Sequence, residues 1–121
     1  MKDGAVLSGA WGLTLAFIDN LCHLLFRCGC TFAWAGAAIR CNVHHPEPPH
    51  CPWCCHGSAG FLWVPALLIG AETAVILALR GRGTLAQIAG AAVTYGVVGA
   101  GSGLVSAWVD GYPTWLGLSL R

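Results

Sequence analysis

The chain has 121 residues, 56% of them hydrophobic and only 9% charged, with a formal net charge of +1. A soluble domain carries roughly 25% charged residues, so the composition excludes an ordinary water-facing surface, and the near-neutral balance leaves no electrostatic footprint for nucleic acid. A mean hydropathy of +0.67 points to a bilayer as the solvent.

Three apolar stretches, residues 4–26, 60–79 and 84–109, each approach or exceed the roughly 20 residues that cross a membrane as a helix. They predict an all-α integral membrane protein, one domain with three transmembrane helices, a Cys/His/Pro-rich loop over 40–59 and an interfacial tail over 110–121. The first stretch is too long for the h-region of a cleaved signal, and it is expected to be retained.

Helix 1 carries Asp19, His23 and Arg27 at i, i+4 and i+8, with Asn20 beside them. Ionisable groups inside a membrane are costly, so this stripe should face inward with Asp19 paired to His23 or Arg27, or else mark the membrane exit with Arg27 reaching the headgroups. Continued through Cys28-Gly29-Cys30 to residue 39, the helix would project about three turns beyond the bilayer at 1.5 Å per residue. Alternatively, Trp34 and the Ala-rich 33–38 segment lie along the interface.

The stretch from Cys41 to His56 holds four of the seven cysteines and four of the five histidines, with Pro46, Pro48, Pro49 and Pro52 preventing a continuous helix. Thiolate and neutral imidazole are the protein's best donors for late transition metals. His50, Cys51, Cys54 and His56 put four donors within seven residues, and Cys55 adjoins them. Cys28 and Cys30 supply a C-x-C that could complete the set, giving C-x-C…C-x2-C, a spacing suited to zinc. Cys41, His44 and His45 could form a second site or an entry point. Copper or zinc is the expected metal. Haem fits less well, because His23 is the only histidine within a span and Cys55 interrupts any C-x-x-C-H.

The Cys51-Pro52-Trp53-Cys54 segment also resembles the redox motif of thioredoxin-like proteins, where a low-pKa thiolate attacks a disulfide, although there it follows a strand. Membrane thiol oxidases that pass electrons to quinone are more similar, combining a C-x2-C with a second cysteine pair on an outer loop; they form four-helix bundles and lack the histidines. That resemblance implies a thiol–disulfide oxidoreductase using Cys51 and Cys54, with Cys28 and Cys30 exchanging. Bacterial mercury transporters are similar in size and helix number, but carry a vicinal cysteine pair where this chain has only Cys22. Plain structural disulfides would leave one of seven thiols unpaired.

Glu72 in helix 2 should be protonated or paired, with Asp19, His23 or Arg27 as the partner types on offer. Helix 3 contains Gly99-x-x-x-Gly103, a small face that lets helices approach closely and suggests a homo-oligomer or a subunit of a larger membrane complex. Lys2, Arg80 and Arg82 on one side face Arg40 and Arg121 on the other; the tight Arg80–Gly83 turn favours a cytoplasmic position, which puts the Cys/His loop on the outer face. Trp53, Trp63, Trp108, Tyr112 and Trp115 would form an aromatic belt there.

Overall fold

Apolar runs bounded by breakers form three helices: α1 (Lys2–Phe26), α2 (Gly57–Ala78) and α3 (Thr84–Val109). The computed structural model describes residues 2–120, with backbone alone over 57–61; Arg121, counted in the charge balance above, lies outside the described residues. Each helix packs on the other two. The core is built on Val64 and Leu68 of α2 and Leu25 and Phe26 of α1, each at most 1% exposed. Outward faces are apolar too, with Leu13, Leu85, Val97 and Trp108 among many exposed large side chains. A helix bundle apolar inside and out is suited to lipid.

Two helices, α1 and α3, are long and apolar enough to cross a membrane. The described side chains of α2 give a shorter apolar run, Leu62–Ala78. The α3 bounds coincide with the expected 84–109. Helix α2 starts at Gly57, ahead of the expected residue 60, because the turn over 52–56 leads straight into helix without a breaker.

Helix α1 does not continue to residue 39. Arg27 donates the last helical bond to the His23 carbonyl at 2.7 Å, and its own φ of 50° then turns the chain aside. Residues 27–39 fold back along the helix, where Trp34 and Phe32 stack on each other and meet Phe17 edge-on. Trp34 is 69% exposed and sits on this folded-back segment rather than on a helical projection.

The small face of α3 is used within the chain. A Cβ at Gly99 would meet Leu21 at 2.6 Å, and one at Gly103 would meet Leu25 at 2.6 Å, so the two glycines form the bed on which α1 lies. At the other end, Asp3 pairs with Arg80 at 3.3 Å and accepts from Gln87 at 2.8 Å, tying the N-terminus to the α2–α3 turn. Glu72 takes neither Asp19, His23 nor Arg27; both its oxygens accept from the Thr14 hydroxyl at 2.8 Å. After α3 a small antiparallel hairpin, Thr114–Trp115 with Leu118–Ser119, caps the bundle through the Leu116 N–H on the Leu25 carbonyl at 2.9 Å.

The close α1–α3 approach gives a direct test. Gly103→Val should lower stability in detergent by about 1–3 kcal/mol through overpacking against Leu25. Gly101→Ala, whose Cβ meets nothing within 4 Å, should leave stability unchanged or raise it by up to about 1 kcal/mol. Equal effects in thermal unfolding would mean that the helices do not meet on this face.

Candidate metal centre

Six cysteines converge from four segments at the hairpin end of the bundle. Cys22 lies in the last turns of α1, Cys28 and Cys30 on the turn leaving it, Cys41 before a single 3-10 turn over Asn42–His44, and Cys51 and Cys54 at the entrance to α2. All seven thiols of the chain are free. Cys22 Sγ stands 3.1 Å from Cys51 Sγ and 3.4 Å from Cys28 Sγ, and Cys28 lies 3.3 Å from Cys30. The sulfurs group as Cys22/Cys51/Cys54, Cys22/Cys28/Cys30, Cys28/Cys41/Cys51 and Cys30/Cys41/Cys54, each triad within 4.8 Å. That cluster could hold a metal ion.

The local sequence explains the convergence. Gly29 has φ +96°, and any Cβ there would collide with the Arg40 carbonyl, so only glycine lets the Cys28–Cys30 turn lie against Cys41. Asn42 then knits the loop. Its N–H donates to the Cys28 carbonyl at 2.6 Å, its Oδ1 accepts from the Cys51 N–H at 2.7 Å, and its Nδ2 donates to Tyr112 Oη at 2.9 Å. The Tyr112 hydroxyl donates in turn to the Phe26 carbonyl at 2.7 Å, satisfying a helix-end acceptor. Burial pushes the Tyr112 phenol up to about 12, so it remains a donor.

Trp53 and Tyr112, expected in an aromatic belt, instead close the site from inside. Trp53 is 4% exposed, donates to Ser106 Oγ at 3.2 Å and meets Phe26 edge-on at 5.3 Å, while Tyr112 meets the same ring at 5.4 Å. Trp108 does face outward. Five of the six thiols are buried; Cys54, half-buried, borders a small cavity shared with Cys22, Asp19 and Pro65. Hydrogen bonds from neighbouring thiols, Cys22 first, lower the Cys28 and Cys54 thiols, and the same network raises Cys22.

The histidines lie elsewhere. His44 Nε2 contacts the Ala38 carbonyl at 3.1 Å and His50 Nε2 the His45 carbonyl at 2.9 Å, bonds that fold the loop on itself, and His45 is exposed. His56 contacts the Asp110 carboxylate at 3.0 Å and, with Cys55, forms a separate exposed trio. Burial pushes the Cys55 thiol up, away from the reactive form. His23 Nδ1 accepts from the Gly29 N–H at 3.1 Å and so shapes the turn between Cys28 and Cys30. Among the described residues no imidazole joins the six sulfurs.

Of the expected ligands, Cys28, Cys30, Cys41, Cys51 and Cys54 are therefore brought together in one cluster, Cys55 and His56 meet Asp110 in a separate exposed group that could also hold an ion, and His44, His45 and His50 join neither. Cys22 is the member that sequence reasoning missed. Its signal was position: it lies one to two helical turns before the C-x-C, on the face of Ile18 and Leu25 that the bundle buries. No protein-family model, curated protein or solved structure matches the chain.

Removing the Asn42 side chain while leaving every thiol in place should loosen the cluster. Asn42→Ala strands the Cys51 N–H and a Tyr112 contact at a cost of about 1–3 kcal/mol. Alkylation of the reduced protein in detergent should then accelerate at the buried thiols by about tenfold or more while the rate at exposed Cys55 stays unchanged. Unchanged rates at all seven would show that Asn42 does not hold the site closed.

Proposed function

We propose that this is a multi-pass membrane protein that binds a thiophilic transition metal, copper or zinc, through cysteine thiolates at one end of its helix bundle. The observation that carries the reading is the meeting of six thiols from four chain segments, each within 4.8 Å of its triad partners. Soft thiolates select Cu(I) and Zn(II) over hard cations. Clusters built on inorganic sulfide hold their cysteines around the outside of a core, farther apart than these sulfurs stand, so iron–sulfur chemistry is the poorer fit.

Burial sets the kind of role. The cavity beside Cys22 and Cys54 is small and walled by Ile18, Trp53 and Val64. A closed thiolate site suits holding or handing on a metal, as an accessory, assembly or delivery subunit of a membrane complex. Three crossings, with the Arg80–Gly83 turn in the cytoplasm, put the metal site on the outer face. The tie between Asp3 and Arg80 supports the pairing of those ends.

The alternative is a membrane thiol–disulfide oxidoreductase using Cys51 and Cys54. The 3.1 Å approach of Cys22 to Cys51 supports it, since a disulfide at about 2.05 Å lies within a small movement. Against it, Cys51 is fully buried, and exchange needs a partner thiol to reach the sulfur attacked.

Elemental analysis of protein purified in detergent should find copper or zinc at one or more per chain, lost after Cys28→Ser or Cys41→Ser and retained after His50→Ala or His56→Ala. Background metal with the thiols paired as disulfides would favour the redox alternative. For topology, a cysteine introduced at Gly81 should escape an impermeant thiol reagent applied to intact cells, and Cys55 should react; the reversed pattern would put the site in the cytoplasm, where zinc becomes the better candidate.

A further inference from the structure

The four sulfur triads are not independent. Every one of the six cysteines belongs to two triads, and the triads together contain twelve different pairs of the fifteen that six atoms can make. The three pairs left over are Cys22/Cys41, Cys28/Cys54 and Cys30/Cys51. Six points, each close to four others and opposite the fifth, are the corners of an octahedron; all eight of its faces fall within the same limit, and the four triads are one alternate set of them.

From this arrangement, and resting on the metal-binding reading above, we propose that the cluster holds four Cu(I) ions, one on each triad, with every thiolate bridging two of them. Cu(I) is a soft d10 ion content with three sulfur ligands, and each face offers three. With a metal–thiolate bond of about 2.3 Å, three sulfurs around a trigonal ion lie about 4.0 Å apart, inside the 4.8 Å limit of every triad. The closest sulfurs, at 3.1–3.4 Å, would move apart by about 0.6–0.9 Å on loading.

Zinc fits this pattern less well. Four Zn(II) ions, one to a face, would each need a fourth ligand, and among the described residues no imidazole joins the six sulfurs to supply it. A single zinc could use four of the sulfurs, but would leave two cysteines as bystanders. Charge balances in the cage: six thiols release six protons as four Cu(I) ions enter, leaving −2 on the site, the same as one Zn(II) on four of the thiolates. No electron is transferred. The half-buried Cys54 offers the first contact for an incoming ion, and a thiol-bound Cu(I) complex is the donor chemistry suited to exchange there.

Anaerobic titration of the reduced protein in detergent with Cu(I), read by native mass spectrometry, tests this directly. Four copper ions should bind per chain in one cooperative step, with the one- to three-copper species sparse, because each bridging thiolate serves two ions. Single Ser replacements at each of the six positions should all lower the copper count, while Cys55→Ser should still bind four. A limit of one metal per chain, or full binding retained in two of the six variants, would overturn the tetranuclear cage and leave a mononuclear thiolate site standing. No bound metal at all would sink both readings.

Discussion

Asn42 is the point at which the ligand loop is made one body with the bundle. One side chain and its own N–H reach Cys28, Cys51 and Tyr112, and Tyr112 passes the connection to the end of α1. Without such a tether, thirty residues of loop between α1 and α2 would carry their cysteines over a wide volume. Bringing six sulfurs together from four segments costs chain entropy that local spacing alone does not remove. The Asn42 side-chain bonds are half-buried and the Tyr112 bond to the Phe26 carbonyl is buried, where it is stronger than it would be in water and an unmade one is costly.

The 27–56 loop turns Cys28, Cys30, Cys41 and Cys51 inward and its Phe32, Trp34 and Ile39 outward. Neutral thiols behave as small hydrophobes, so the cluster can pack before any metal arrives. Its conversion to thiolates is what would require cations. Glycine makes this packing possible at two scales, in the Gly29 turn and in the Gly99/Gly103 bed under α1.

Much of the fold could be read from the sequence because apolar runs and breakers report on local backbone. The Gly83 and Asp110-Gly111 breakers delimit α3, and the end of α1 at Phe26 follows the loss of apolar character at Arg27. The cysteine pairs Cys28/Cys30 and Cys51/Cys54 announced themselves by spacing. Density of donors along the chain, however, says nothing about direction. In the 27–56 loop the His44 and His50 rings turn to backbone carbonyls and His45 is exposed. Cys22 stood outside the expected ligand set because, within an apolar helix, a cysteine looks like any small hydrophobe. Its partnership depends on Gly29 and Asn42 turning the chain back, a tertiary event with no periodic signature.

The account therefore stands on sulfur as the sole ligand type. X-ray absorption at the edge of whichever metal the purified protein carries reads that shell directly. Sulfur scatterers alone at about 2.3 Å are the predicted result. Imidazole scattering in the first shell would contradict it, because the loop would then have to bring His50 or His44 to a metal that this fold keeps away from them.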